Sequence, residues 1–340
     1  MFDSKWISAT RTRNFAASET LLDWLNLYGK EHGFKTDDQY AGYDIRTDFS
    51  HFIMNKGLEF EQAVAKHIST LVPIHEIERA HSRIYNQTDC DKTKAAMALG
   101  KPIIYQAVLK HDKTKTYGVA DFLIRSDELS KLFPGSITEA EINTPAPNIS
   151  SSNWHYRVID VKFTTLHFLT KGDLSSSNSA WGYMHQIFIY NQALGEMQGY
   201  TAPGGYILGR KWEQTIEKQK ERSTNCMDRL AFIPDDTAPR GKDPLSISVA
   251  AACNWIRKVR TEGKNWEIFP EPAVPELRPH MGSTTDQPWH RAKAEINSKL
   301  RDLTELWYVG SDKRDVANNS GIYRWDENDY KAEDLGVRGV

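Results

Sequence analysis

The chain is 340 residues long, which at about 100–200 residues per domain predicts about two domains. Hydrophobic residues make up 39% and charged residues 26%, which excludes a disordered chain, a collagen and a small disulfide scaffold. The formal net charge of −2 argues against nucleic-acid binding through bulk positive charge, but it leaves a local basic groove open.

The three cysteines, Cys90, Cys226 and Cys253, lie far apart and match no zinc-type spacing. We expect them to be free thiols in a reducing compartment. No apolar run approaches the length of about 20 residues that is needed to cross a bilayer. The first residues also lack the apolar segment of a secretory signal. The expectation is therefore an intracellular protein without a membrane span.

The first half of the chain alternates between helical and strand patterns. Apolar residues at helical spacing predict helices at 18–30 and 57–72. Two runs, 102–110 and 116–125, have strand character and are separated by a short polar turn, which predicts a β-hairpin. Pro, Ser and Asn residues then predict a loop over 134–153.

The second half begins with a predicted strand at 156–165, followed by a loop at 171–178. The segment 179–195 is apolar on nearly every side, which predicts a buried helix. A further strand is predicted at 205–212, and the pattern from residue 213 onward is mostly helical.

Five prolines between residues 268 and 290 indicate a linker-like crossing, and the stretch after it is again helical. Helices mixed with strands predict an α/β or α+β sheet core. The C-terminal part is predicted to be a small helical module.

The helix at 57–72 carries an acid on its apolar side. At about 100° per residue, Glu61 falls in the middle of that side, whereas Glu59 falls opposite and is expected to face solvent. A carboxylate that faces the core needs a partner, either a core Arg or a functional group. The apolar side consists of Leu58, Val64, Ala65, Ile68, Leu71 and Val72.

Acids also interrupt two of the predicted strands. Asp121 lies in an otherwise apolar run, and Asp160 and Lys162 share one face of the next strand, about 7 Å apart. Buried acids and amines are rare unless they are paired or bound to a metal. A surface ion pair on an edge strand is the alternative for Asp160 and Lys162.

Two polar residues lie one helical turn apart on the apolar helix at 179–195. Gln186 and Tyr190 share one face, where a buried Gln needs hydrogen-bond partners. They are either satisfied core residues or groups that orient other polar side chains.

Taken in order, these residues resemble the RecB-like branch of the PD-(D/E)xK nucleases. In that family a helix carries Glu after a Gly, one strand carries Asp, the next carries [D/E]xK, and a later helix carries QxxxY. The resemblance covers about residues 5–215 and implies a restriction-endonuclease-like mixed β-sheet core flanked by helices. The matching motifs are Gly57-Leu58-Glu59-Phe60-Glu61, Gly118-Val119-Ala120-Asp121, Asp160-Val161-Lys162 and Gln186 to Tyr190.

The resemblance implies a metal-dependent nuclease that hydrolyses DNA phosphodiester bonds, with an exonuclease slightly favoured. Asp121, Asp160, the Val161 carbonyl and Glu61 would hold Mg²⁺ or Mn²⁺, because hard oxygen ligands suit these ions. Lys162 would orient the attacking water or help to deprotonate it, and would stabilise the charge on the phosphate. Relatives with an iron–sulfur cluster use four Cys, so no such cluster is expected with three.

The remaining implied roles concern the substrate. Gln186 and Tyr190 would position the catalytic groups or the DNA backbone. Arg11 and Arg13 either contact phosphate or lie in solvent.

In domain terms, residues 1–270 are predicted to form the nuclease domain and 271–340 a helical segment. Within the latter, 303–325 resembles a helix-hairpin-helix element, although Tyr308 stands where such hairpins have their first Gly. The resemblance is compatible with a further exonuclease or helicase domain in a longer protein. Two other functions remain open: a non-cleaving DNA-binding or scaffold module with a nuclease fold, and an RNA-directed nuclease.

Overall fold

The computed structural model describes residues 5–79, 86–149, 153–177, 179–327 and 330–337. The chain divides into two compact units, each made of two separate segments. Unit 1 consists of Met1–Arg13 and His51–Cys253, and unit 2 of Asn14–Ser50 and Asn254–Val340. This division is discontinuous, unlike the single boundary at residue 270, and the assignment of 1–270 as a nuclease domain stays a prediction.

Unit 1 is built on one mixed sheet. Its strands follow the order β2-β3-β4-β5-β6-β7, with β1 paired to β4 and β8 to β6. The pairs β3–β4 and β4–β5 are antiparallel, whereas β5–β6 is parallel. The strands are β1 Ile7–Ser8, β2 Ile74–Glu76, β3 Ile103–His111, β4 Thr116–Arg125, β5 Tyr156–Phe168, β6 Gly204–Ile216, β7 Gln219–Ser223 and β8 Ala231–Pro234.

Helices flank this sheet, so the predicted α/β fold with a mixed-sheet core flanked by helices is confirmed. The largely apolar helix α7 packs against β3, β4, β5 and β6 and is buried along most of its length. The α-helices are α1 Arg13–Ala16, α2 Leu21–Trp24, α3 Phe49–Ser69, α4 Gln87–Ala98, α5 Ser126–Leu132, α6 Glu139–Ile142, α7 Ser179–Gln198, α8 Leu245–Glu262, α9 His290–Leu300 and α10 Ser311–Asn319.

Helix α3 buries a narrower stripe than its periodicity predicts. Val64 and Ile68 are buried in the core of unit 1, with strand residues such as Phe122 and Ile159. Leu58 and Leu71 are 53% and 58% exposed, so their predicted burial is wrong. The buried residues lie in the C-terminal half of the helix, whereas Leu58 lies near its centre on the exposed side and Leu71 lies beyond its last residue, Ser69.

The prediction of mostly helical structure after residue 213 is wrong. Strand β6 continues to Ile216, β7 and β8 follow, and the next α-helix begins at Leu245. The sequence of β7 is polar throughout and its first four residues are exposed, so the strand lacks the apolar alternation that identifies half-buried strands. The short strands β1 and β2 and the polar helix α4 were also not predicted.

Unit 2 contains α2, α9 and α10. Between residues 303 and 325 the structure has a 3₁₀ turn, Leu303–Glu305, and one α-helix, α10. Val309 and Ala317 pack with Leu303 in a small apolar cluster, and Tyr308 adopts the left-handed backbone (φ +63°) that favours Gly. A helix-hairpin-helix function for this segment stays a prediction. No helix in the described ranges has both the length and the apolar character needed to cross a bilayer.

Candidate active site

The two acids on strands lie side by side where β4 and β5 separate. Their antiparallel ladder runs from Arg125–Tyr156 to Phe122–Ile159 and stops there. Asp121 and Asp160 are the next residues on each strand. The Asp121 carboxylate accepts a hydrogen bond from the Val161 backbone N–H at 2.6 Å, which ties the end of β4 to β5.

Lys162 lies beside the two acids and pairs with one of them, Asp160. Its ammonium forms an ion pair with Asp160 Oδ2 and lies 5.2 Å from the centre of the Tyr183 ring. Burial opposes the charge on this amine, but the carboxylates of Asp160 and Asp121 outweigh it and raise the Lys162 pKa. The side chain is therefore an ammonium at neutral pH, and 18% of it is exposed.

Glu61 faces inward from α3, as predicted, whereas Glu59 is exposed. The Oε1 atom of Glu61 accepts two hydrogen bonds, one from the Tyr105 hydroxyl at 2.7 Å and one from the Gln106 amide. Burial raises the pKa of Glu61, and the nearby Asp160 carboxylate adds to the rise. Among the residues that the structure describes, its hydrogen-bond partners are thus a phenol and an amide.

Gln106 is a site residue that the sequence did not reveal. Tyr105 pairs with Phe122 and Ala107 with Ala120, so Gln106 lies opposite Asp121 at an interruption of the β3–β4 ladder. Its φ of +58° is unusual for a residue with a side chain.

Gln106 thereby links two partners, because its amide donates to Glu61 and its oxygen accepts from Arg79 at 2.8 Å. Gln106 is a polar residue inside the apolar run of β3, and this pattern could have identified it as a candidate site residue. The same pattern identified Asp121.

Gln186 and Tyr190 lie behind Asp160. The Gln186 amide donates to the Tyr190 hydroxyl at 2.6 Å and approaches Asp160 Oδ1 at 3.5 Å. Burial, and then Asp160, raise the Tyr190 pKa well above its ordinary value, so the phenol stays protonated. With Tyr190 only 2% exposed, these residues are placed to orient Asp160, and direct contact with a substrate stays a prediction.

Gly118 makes room for this arrangement. A Cβ built on Gly118 would lie 2.1 Å from Cε1 of the Tyr190 ring, far inside van der Waals contact. The first residue of the Gly118-Val119-Ala120-Asp121 motif is thus small because α7 brings an aromatic ring against the backbone of β4.

The three acids interact electrostatically in one place. Burial raises the Asp121 pKa well above its ordinary value, and the Asp160 and Glu61 carboxylates raise it further. Residues that are about 40–100 positions apart in sequence therefore converge, together with Lys162.

The two arginines lie near the start of unit 1. Arg11 and Arg13 are exposed, in and just after the 3₁₀ turn Ala9–Thr12 that packs on α7. The side chain of Arg13 lies over Gly182, where a Cβ would come within 3.2 Å of its Cγ. Their role toward phosphate stays a prediction.

Carboxylates supply the oxygen atoms that could hold a metal at this site. Within the described ranges, no three His, Cys, Asp or Glu side chains are grouped so that they could hold an ion as they stand. The donor chemistry nevertheless fits a hard divalent cation, because the converging groups are carboxylates that repel one another. No family model and no curated protein matches this sequence.

Proposed function

We propose that this protein is a divalent-metal-dependent nuclease that hydrolyses phosphodiester bonds of DNA, of the RecB-like PD-(D/E)xK type. The main support is the convergence of Glu61, Asp121 and Asp160 beside the Lys162 ammonium at the point where two strands separate. Exonuclease action is slightly favoured over endonuclease action.

The proposed ion is Mg²⁺ or Mn²⁺. Asp121, Asp160, the Val161 carbonyl and Glu61 would hold it, since all four offer hard oxygen ligands. When bound, such an ion offsets the charge of the scissile phosphate and makes a bound water more acidic.

Lys162 acts as a cation in this proposal. Because the neighbouring carboxylates keep it protonated, its N–H groups hold an attacking water or a phosphate oxygen and stabilise the charge that develops on the phosphate. The face of Tyr183, 5.2 Å from the ammonium, adds a cation–π contact that fixes the position of the amine.

Gln186 and Tyr190 serve as positioning residues. The Gln186 amide, held by the Tyr190 hydroxyl, faces Asp160 Oδ1 and limits rotation of that carboxylate. The other oxygen of Asp160 is turned toward Lys162.

The decisive experiment replaces the central pair and measures cleavage of single-stranded DNA, duplex DNA and RNA with Mg²⁺ and Mn²⁺. Asp160→Asn and Lys162→Met are each expected to lower DNA cleavage at least about 100-fold, since each removes a charge that acts on the transition state. The matched controls are Asp112→Asn and Lys113→Met, which change an exposed acid and amine in the β3–β4 turn.

Circular dichroism checks that each variant is folded. Full activity of folded Asp160→Asn and Lys162→Met would refute the proposal. Cleavage of RNA in preference to DNA would instead identify an RNA-directed nuclease.

A non-cleaving DNA-binding module is the second candidate. Two observations favour it: the Lys162 ammonium pairs with Asp160, and Tyr105 and Gln106 both donate hydrogen bonds to one oxygen of Glu61. DNA binding that persists with no cleavage across Mg²⁺ and Mn²⁺ would support this function over the first.

A further inference from the structure

Strand β5 is bulged directly after the candidate active site. Between the pairs Lys162–Gly209 and Thr165–Lys211, β5 has two residues and β6 has one, Arg210. Bulges of this kind interrupt the regular alternation of side chains, and they are frequent next to active sites, where they redirect a side chain. The positions of the side chains at this bulge therefore have to be read from their contacts.

Those contacts place Phe163 and Arg210 together on the α3 side of the sheet. The centre of the Phe163 ring lies 5.8 Å from that of Phe60, the residue of α3 just before Glu61. The Arg210 guanidinium lies 4.6 Å from the centre of the Phe163 ring. Ring contacts thus connect Arg210 to the helix turn that carries Glu61.

The charge of Arg210 has no acidic partner in the part of the chain that the structure describes. The residue is exposed, and its guanidinium makes the cation–π contact with Phe163 but no ion pair. Another arginine of the same sheet, Arg157, is buried and pairs with Glu141 at 2.7 Å. A cation–π contact fixes the position of a guanidinium but leaves its charge without a counter-ion. Arg210 is therefore held in place and able to accept an anion from outside.

The α3 side of the site also has open space. Gly57 precedes Glu61 by one turn of α3, so both lie on the same side of the helix. A Cβ built on Gly57 would have no described atom within 4 Å. On the other side of the sheet, where Lys162 meets α7, the buried Leu166 side chain fills the space beside β6. The open space beside the site is thus on the α3 side, where Arg210 lies.

We infer that Arg210 binds a phosphate of the substrate next to the scissile one, and that Phe163 positions its guanidinium for this contact. The inference rests on the proposed function and adds a substrate-binding residue to it. A guanidinium suits a phosphate because its N–H groups match two of the phosphate oxygens. A contact to the backbone supports binding of every sequence, and it takes no part in breaking the bond.

Binding is measured with the full chain in EDTA, using a labelled single-stranded oligonucleotide of about 20 nucleotides and fluorescence anisotropy at several salt concentrations. Arg210→Met is expected to bind about 10-fold more weakly, since it loses hydrogen bonds to a charged group. Its slope of log Kd against log salt should fall by about 0.7, the value for one phosphate contact. The matched control Arg240→Met removes an exposed arginine from the loop after β8 and should change neither quantity.

Three outcomes of this measurement would overturn the inference. They are absence of binding by the natural protein, an Arg210→Met variant that binds like it, and an equal loss in Arg240→Met. Circular dichroism checks that each variant is folded. Arg210→Lys keeps the charge without the planar group, so it should keep the salt slope but recover only part of the affinity.

Phe163→Leu tests the positioning role. It keeps an apolar side chain and removes the ring, so it should weaken binding about 3-fold through the lost cation–π contact. In an Arg210→Met background the same change should have no effect, because no guanidinium is left to position. A loss that is as large in that background would show that Phe163 acts through the fold and would overturn its positioning role.

Cleavage assays separate this inference from the proposed function. If the natural protein binds through Arg210 but cleaves no substrate, the phosphate contact stands and the nuclease proposal fails. If it cleaves, while Arg210→Met binds and cleaves like it, the nuclease proposal stands and the inference fails. If both hold, Arg210→Met should raise KM about 10-fold and leave kcat within about 2-fold, whereas Lys162→Met should lower kcat.

Discussion

Adding one methyl group at Gly118 tests how the candidate active site is assembled. Gly118→Ala would place a Cβ 2.1 Å from Cε1 and 3.1 Å from Cδ1 and Cζ of the Tyr190 ring. Overpacking of this kind costs about 1–3 kcal/mol, and the buried ring has little room to move, so we take the upper end of that range. The reduced entropy of the unfolded chain offsets about 0.4–1 kcal/mol, which leaves a net loss of about 2 kcal/mol.

The assay is urea denaturation followed by circular dichroism in the transition that loses sheet signal, since the strands belong to unit 1. Gly57→Ala is the matched control, because nothing lies within 4 Å of its Cβ and it sits inside α3, where Ala should stabilise by about 1 kcal/mol.

A double-mutant cycle identifies the ring as the cause. In a Tyr190→Leu background the edge of the ring is gone, so Gly118→Ala should cost nothing or stabilise slightly, which gives a coupling of about 2 kcal/mol. Losses that add within about 0.5 kcal/mol would refute the argument. So would a Gly118→Ala protein as stable as the Gly57→Ala control.

Two further predictions concern strain and burial. Gln106→Gly and Gln106→Ala both lose the hydrogen bond to Glu61, but Gly adopts the left-handed backbone freely. The Gly variant should therefore be about 1 kcal/mol more stable in the same denaturation assay, and equal stabilities would contradict strain at this residue. In unit 2, burial raises the pKa of Glu19 to about 7 against the pull of Lys293, so stability present below about pH 4.5 is lost as the pH rises through 7. Glu19→Gln should abolish this loss of about 3 kcal/mol, measured by denaturation at pH 5 and pH 8, and a parallel pH dependence of both proteins would disprove it.

The acids of the candidate site could be predicted from the sequence because each of them interrupts an apolar pattern. Asp121 and Asp160 interrupt apolar strands, and Glu61 interrupts the apolar face of a helix. A charged residue at a position that is expected to be buried indicates a paired or functional group. Gln106 was missed although it breaks the pattern of β3 in the same way. Its left-handed backbone carries no local signature, since neither Gly nor Asn stands at that position.

Other features depend on contacts that local patterns do not encode. Strand β7 is polar and exposed, and it is a strand because it pairs with the end of β6. The composition of unit 2 likewise depends on long-range contacts. The Trp24 indole, for example, donates to the Gly263 carbonyl at 2.7 Å, between residues that are 239 positions apart.

The discontinuous make-up of unit 2 affects the order in which the protein is synthesised and folded. Residues 14–50 carry apolar side chains, including Leu21, Leu22 and Trp24, that are buried in the finished protein. Their partners begin at Asn254, about 200 residues later, which a ribosome adding about 5–20 residues per second reaches after about 10–40 s. The earliest part of this unit to leave the ribosome thus completes its core only after the whole intervening sheet has been translated.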